Sequence, residues 1–383
     1  QIAENVSINI EDFNELKNFI IFNKIDLVVV GPEKPLVDGM VDFLEKYNIN
    51  VFGPNKSASQ LEGSKIFTKN LCEKYLIPTA KFGIFKNIKD AMQYSDNTNY
   101  PLVIKADGLA SGKGVYICEN KHDSEIAINE IFNGKFGVAN NLLIEEFLVG
   151  EEMSYFIVTD GKTIKKFGTA QDHKRAFEGD LGKNTGGMGA YSPSRLIDDE
   201  LEKKIIDRIV EPTLKGLKEI GTNYKGFLYV GLMIVKGDPY LIEYNVRMGD
   251  PECQTILPRL NSSLINIFIA CCEGKLDQCK IKWHNKKSLC IVVCSKGYPD
   301  TFKKNLLINN IEKIKLSADE YLYHASTTRV NDEVFSSGGR VLNFVCLSKD
   351  FLEARKKNFK LINQLDWNEG FYRKDIGYKV IDK

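Results

Sequence analysis

Long apolar runs are missing from this chain of 383 residues, and none approaches the roughly eighteen uninterrupted apolar residues of a membrane span. The opening Gln1-Ile-Ala-Glu-Asn-Val6 has neither a basic n-region nor an apolar h-region, so we expect no secretory leader. Histidine is scarce: His122, His173, His284 and His324 are scattered. No two of the nine cysteines form a Cys-x-x-Cys pair. A structural zinc site and a disulfide framework are therefore disfavoured. Cys118, Cys290, Cys294 and Cys346 sit in strand-like runs and Cys271 and Cys272 in a helix-like one, which predicts buried, reduced thiols in a cytoplasmic protein. Excess charge is also lacking, since 52 Lys and Arg against 51 Asp and Glu leave a formal +1. That argues against a broad nucleic-acid or membrane surface and leaves room for a local basic pocket for small anions. No Gly-x-Gly-x-x-Gly follows a strand, which disfavours a nicotinamide-dependent dehydrogenase.

What is present reads as a soluble α/β protein, with 43 % hydrophobic and 27 % charged residues over a length that suits two or three domains. Asp26–Val30 and Asn50–Pro54 read as strands and Glu11–Asn23 and Leu36–Tyr47 as helices. This alternation belongs to an open parallel sheet, with the first βα unit expected but not seen: a leading piece of roughly thirty or more residues. From Lys65 the pattern changes. Ile66–Tyr75 is helical, Tyr100–Lys105 and Gly114–Cys118 flank a glycine-rich turn, and Leu142–Leu148 is a strand. Met153–Asp160 and Thr163–Thr169 form a hairpin, Gly179–Gly189 is expected to be a long mobile loop, and helices near Asp199–Ile220 precede a strand pair at 227–244. Short strands and a last helix, Lys349–Gln364, make a smaller α+β unit. The expected division is an N-terminal α/β domain at 1–64, a nucleotide-binding domain at 65–283 and a C-terminal α+β domain at 284–383.

In Leu241-Ile-Glu-Tyr-Asn-Val-Arg247, polar Glu243, Asn245 and Arg247 alternate with apolar Ile242, Tyr244 and Val246. On a strand they share one face. A carboxylate and an amide there can supply the few protein oxygens that magnesium takes beside phosphates, and an arginine can balance the remaining phosphate charge. The bland alternative is an edge strand with a solvated face. Asp107-Gly-Leu-Ala-Ser-Gly-Lys-Gly114 is rich in backbone donors for phosphate, yet it fails the Walker A pattern because Gly108 and Gly112 are one residue too close. Lys65 and Lys105 could reach the same phosphates. Glu145-Glu146-Phe147-Leu148 ends a strand and leads to Glu152, where backbone groups suit a purine and a carboxylate suits ribose hydroxyls. Gln171-Asp172-His173-Lys174-Arg175, followed by Asn184–Tyr191, suits a lid closing over an anion. Asp250 and Glu252 lie just beyond the metal strand, and Ser337-Gly-Gly-Arg340 is either a phosphate contact or a hairpin turn.

These motifs in order, from Gly31-Pro-Glu33 through Leu61-Glu-Gly-Ser-Lys65 to Gly249-Asp-Pro-Glu252, Arg340 and Tyr372-Arg-Lys-Asp-Ile-Gly377, resemble the glycinamide ribonucleotide synthetases, or phosphoribosylamine–glycine ligases, of the ATP-grasp superfamily. The resemblance runs along essentially the whole chain. It implies a purine-biosynthetic ligase in which ATP phosphorylates glycine and 5-phosphoribosylamine attacks the glycyl phosphate. It assigns ATP to Lys65, Lys105, the loop of Ser111, Gly112, Lys113 and Gly114, Glu145, Glu146, Phe147, Leu148 and Glu152. Glu243 and Asn245 would hold magnesium or manganese. Arg247 and Lys105 would act in phosphoryl transfer, and Glu33, Asp172, Lys174, Arg175, Asp250 and Arg340 are substrate candidates. The expected partners are small molecules only, with no nucleic acid or membrane, and the chain is expected to act as a monomer. Two departures stand out: nothing matches the family's opening Gly-Gly-Arg-Glu-His turn, and Ser326 replaces a usual glycine. A nucleotide-binding chain without ligase activity, or an ATP-grasp ligase for another acid, are the alternatives.

Overall fold

A computed structural model describes residues 3–109, 114–137 and 140–381. At the N-terminus, Asp12 caps the helix Phe13–Phe22 by accepting from the Asn14 and Glu15 amides. That satisfies donors the first turn leaves free. Val28–Val29 and Val51–Phe52 pair in parallel, as the β-α-β alternation predicts. The single helix expected over Leu36–Tyr47 is two helices, Glu33–Asp38 and Met40–Glu45. Gly39 divides them in a left-handed conformation, and Leu36, Met40, Val41 and Leu44 still reach one core.

Two larger sheets make most of the rest, beside a two-stranded ribbon and a three-stranded sheet. Four antiparallel strands, in the order Phe82–Phe85, Leu142–Glu146, Leu102–Ala106 and Val115–Cys118, form the smaller one. Period-two alternation divides its faces. Leu102, Ile104, Leu142 and Ile144 pack with Ala127, Ile128 and Ile131 of the helix Lys121–Phe132, while Val103, Lys105, Leu143 and Glu145 turn to a cleft.

The larger sheet has nine strands, eight on one path and Gly370–Phe371 off it, paired with Lys287–Ser295. Its path runs Asp238–Asn245, Gly226–Val235, Glu151–Thr159, Ile164–Asp172, Gly189–Ser192, Lys287–Ser295, Arg340–Ser348 and Glu320–His324. The C-terminal strands continue this sheet, because Gly189–Ser192 pairs with Ile164–Asp172 on one side and with Lys287–Ser295 on the other. The helix Phe351–Ile362 covers the C-terminal strands through Ala354, Leu361 and Ile362.

The mobile loop expected over Gly179–Gly189 is corrected. Arg175–Phe177 and Leu181–Asn184 form an antiparallel ribbon, and Gly189 opens the strand that joins the sheet's two halves. Here glycine serves close packing rather than mobility: a Cβ at Gly189 would stand 2.5 Å from the Cys290 carbonyl oxygen. Among the described residues no helix is long and apolar enough to cross a membrane. All nine cysteines are free, six of them buried.

Candidate active site

The small sheet, the edge of the large sheet and the N-terminal unit enclose a cleft of about 780 Å³. Its phosphate-like end is cationic. Ser64 caps the helix Lys65–Tyr75, and its hydroxyl and the Ile66 amide both bond Asp107, which anchors the glycine-rich loop to the helix start. Lys65 donates to the Gly108 carbonyl at 2.9 Å. Burial pulls the Lys65 ammonium below its ordinary range, and Glu243 opposes that. Gly114 and Lys105 line the same cleft, whereas Ser111, Gly112 and Lys113 lie outside the described residues.

Glu145 is 4 % exposed and bridges two ammonium groups, Lys105 at 2.7 Å and Lys69 at 2.9 Å. Burial pushes its carboxyl up, but Lys105 and Lys69 overcome this and leave it below the usual carboxylate range. Its side chain thus orients lysines, and within the 145–148 segment Phe147 and Leu148 remain to line the cleft wall. Glu146 accepts from the Lys81 amide at 2.9 Å. Lys69 had no role in the sequence reading, although it stands one helical turn after Lys65, where (i, i+4) residues share a face.

The metal strand departs from strict alternation. Its register skips Ile242 opposite Gly231 and Leu232, a bulge, so Ile242 joins Glu243, Asn245 and Arg247 at the cleft while Leu241, Tyr244 and Val246 fill the core. A bulge re-aims side chains in this way. Among the described residues, the Glu243 and Asn245 side chains make no hydrogen bond or ion pair, so hard oxygen donors stand open in the cleft. No group of three or more His, Cys, Asp or Glu among the described residues is arranged to hold a metal. This donor set fits a divalent cation that draws its other ligands from phosphate and water, and it does not fit a closed protein cage.

Arg247 reaches across to the N-terminal unit, bonding Glu62 at 2.9 Å and Glu33 at 3.1 Å. Glu62 also accepts from the Val246 amide at 2.7 Å. Burial pushes the Glu62 carboxyl up to about 7, against the opposing pull of Arg247. The sequence reading quoted Glu62 without a role; its spacing, three residues before Lys65, was the available signal.

Beyond the metal strand lies a carboxylate cluster. Lys174 pairs with Glu152 at 2.7 Å, so Glu152 faces an ammonium group in this arrangement. Burial alone would lower Lys174, but Glu152 and Asp172 hold its pKa well above the ordinary lysine value. Burial raises Asp172 and Glu252, and Ser154 donates to Glu252 at 3.1 Å. Arg340 neither ends a free turn nor points to solvent. It bridges the Gly186 carbonyl at 2.7 Å and the Asp250 carboxylate at 2.8 Å. Arg175 stands apart: it does not line the cleft, and its guanidinium bonds the Gly182 carbonyl. His173 is buried, with the Gly377 amide on Nε2 and the Gly189 carbonyl near Nδ1, and takes no place in the cleft lining.

Comparison with known proteins gives a consistent answer. Residues 1–62 match the phosphoribosylglycinamide synthetase N domain, 63–253 its ATP-grasp (A) domain and 288–379 its C domain. The chain belongs to the phosphoribosylglycinamide synthetase family. It is 43 % identical over 383 residues to the phosphoribosylamine–glycine ligase of Brucella melitensis, covering all of this chain and 90 % of that protein. The crystal structure of the Thermotoga maritima phosphoribosylamine–glycine ligase, 34 % identical, superposes with a TM-score of 0.79 over 86 % of this chain and 82 % of its own. More distantly, a biotin carboxylase domain from Hydrogenobacter thermophilus, solved with MgADP, shares the fold: TM-score 0.72, 17 % identity, 96 % of this chain and 81 % of that one. The family expected from the ordered motifs and the expected fold class are borne out.

Proposed function

We propose that this chain joins glycine to 5-phosphoribosylamine at the expense of ATP, releasing ADP, phosphate and glycinamide ribonucleotide as a step of purine biosynthesis. The carrying observation is the convergence, in one cleft, of Lys65 and Lys105 with the open oxygen donors of Glu243 and Asn245 and with Arg247. Phosphoryl transfer to a carboxylate needs alignment and charge neutralisation rather than a protein nucleophile, which fits a cleft holding no Ser–His or Cys–His pair among its lining residues.

Lys65 and Lys105 bind the ATP phosphates, and Glu145 fixes where the Lys105 ammonium points. Gly114 ends the loop that covers them, and Phe147 and Leu148 flank the adenine, with Glu152 beside the ribose. Glu243 and Asn245 hold a divalent cation, magnesium or manganese, which when bound offsets phosphate charge. Arg247, oriented by Glu33 and Glu62, steadies the phosphoryl group as it moves to a glycine carboxylate oxygen. The amine nitrogen of phosphoribosylamine then attacks the glycyl carbonyl carbon, and the carbon–oxygen bond to phosphate breaks. Asp172 and Glu252, buried carboxyls whose pKa burial raises, face the amine, and whichever is ionised accepts the proton that the nitrogen loses as the amide forms, while Lys174, Asp250 and Arg340 orient the substrates. The reading divides the labour among units at 1–64, 65–283 and 284–383. The proposed enzyme acts as a cytoplasmic monomer.

The test is product formation by mass spectrometry with ATP, magnesium, glycine and phosphoribosylamine generated in place. Glycinamide ribonucleotide and ADP in equal amounts are expected, with alanine or serine giving far less. Product from another amino acid at equal rate would overturn the choice of glycine.

A further inference from the structure

Tyr372-Arg-Lys-Asp-Ile-Gly377 has no part in the chemistry above, yet it holds the one arginine that is buried among the described residues, Arg373 at 1 % exposure. A guanidinium out of water must be paired on all sides. Its Nε and Nη2 meet the two carboxylate oxygens of Asp375 at 2.8 and 2.7 Å, a fork-on-fork pair. Its Nη1 crosses to the ribbon, donating to Asp180 Oδ1 at 2.8 Å and to the Arg175 carbonyl at 3.0 Å.

The neighbours of Arg373 repeat the same connection. Tyr378 donates to the other oxygen of Asp180 at 2.7 Å, the Gly179 amide donates to Asp375 at 2.9 Å, and the Lys374 amide donates to Glu178 at 3.1 Å. Among the described residues, every hydrogen bond from Glu178, Gly179 or Asp180 to a residue outside the ribbon ends within 373–378. Asp180 adopts φ 56°, a left-handed conformation that aspartate tolerates better than most residues and that is held here by those two donors. The Gly377 amide donates to His173 Nε2 at 3.1 Å, just ahead of the ribbon.

The ribbon's other end reaches the cleft. Lys174 precedes it, and Asn184, Thr185 and Gly186 line the cleft wall, with the Thr185 amide on the Lys174 carbonyl at 2.7 Å. Arg373 itself does not line the cleft. We infer that Arg373 is a positioning residue: from behind, it locks the tip of the 175–184 ribbon and thereby sets where Lys174 and Asn184–Gly186 stand for the amine substrate. The substrate half of this inference rests on the function proposed above. The locking half does not. The phosphate end, built on Lys65, Lys105 and Glu145, lies on other elements, and the nucleotide site meets the ribbon's neighbour Lys174 through its pair with Glu152.

Arg373→Gln in the full chain tests it. Expected are amide exchange at residues 175–187 at least ten-fold faster, a phosphoribosylamine KM at least ten-fold higher with kcat less affected, and an MgADP Kd changed clearly less than that KM, by what passes through the Lys174–Glu152 pair. Arg373→Lys, which cannot form the fork, should restore these only in part. Should Arg373→Gln fail to fold, Asp180→Asn removes the charge that faces Arg373 and loosens the ribbon tip while keeping the Arg373–Asp375 pair, and the same pattern is expected at smaller size. Wild-type exchange and KM in the folded variants would overturn the inference. So would an equal loss of MgADP affinity, the mark of a merely structural role. Exchange needs no turnover: faster exchange in a chain that makes no product would uphold the lock and overturn the proposed function instead.

Discussion

On the cationic side of the cleft, Lys69 and Lys105 both bond Glu145 directly, from one helix and two adjacent strands, and Lys65 of the same helix bonds the Gly108 carbonyl. On the ribbon side, Lys174 and Asn184–Gly186 are held in place by Arg373 and Asp375, nearly two hundred residues further along the chain. The first arrangement fixes charge by burying it. The second leaves its functional groups open to the cleft and places the stiffness behind them. Ammonium groups that meet the same phosphates each time gain from being preorganised, since no reorganisation is then needed during transfer. Groups that admit an amine and release a larger product gain from a support that can be tuned separately.

The comparison breaks most visibly at the metal strand between the two sides. Glu243→Ala should lower turnover by about 10³-fold or more, comparable to losing a preorganised transition-state contact. Thermal unfolding should barely move, because the Glu243 carboxylate bonds nothing among the described residues. Paired activity and melting measurements check this, and near-normal turnover in a folded variant would refute the metal assignment.

Next in size is the buried triad. Glu145→Gln leaves Lys69 and Lys105 together without a counter-charge and should cost about 3–5 kcal/mol of stability, read by denaturant unfolding. Lys69→Met leaves the neutral Lys105–Glu145 pair and should cost clearly less. Equal losses would show that the triad is not a charge sandwich. Smaller again, Glu62→Gln keeps an acceptor for the Val246 amide but removes charge from beside Arg247. Turnover should fall about ten-fold with little change in nucleotide affinity, as expected for a positioning contact.

An effect seen only as pH falls sharpens the ribbon side. Burial, then the charges of Arg373 and Lys379, push His173 down to about 4 from an ordinary 6.5. A base with a depressed folded pKa adds stability above its unfolded value, and that stability is lost as pH falls from about 6.5 through 4. Wild type should lose up to about 3 kcal/mol over that window relative to His173→Gln, measured by unfolding at a series of pH values. Parallel pH curves for the two proteins would refute a buried, neutral His173.

Much of this site was legible because its motifs are local. Lys65, Lys105, Glu243, Asn245 and Arg247 were chosen from short-range spacing and order, and the cleft gathers all five. The alternation on the metal strand was read one residue too simply, since a bulge at Ile242 depends on the partner strand and leaves no mark in the strand itself. Glu62 and Lys69 carry no sign of a role in the sequence alone, because a helical carboxylate or lysine looks solvated until the opposite wall is in place. Glycines between 179 and 189 looked like mobility. In the fold they make a ribbon turn and a close strand contact.

By itself the sequence determined the family, the order of its units and several of the residues that line the cleft, because those rest on period-two and helical spacing and on motifs a few residues long. Only the tertiary structure decided which charges neutralise which. Glu145 is a clamp for two lysines, Arg247 is tied to Glu33 and Glu62, and Arg373 grips the ribbon across the fold. The physical reason is range. Periodicity says which face a side chain takes, but the partner of a buried charge is chosen by whatever the folded chain brings within about 3 Å, where desolvation makes the pairing obligatory.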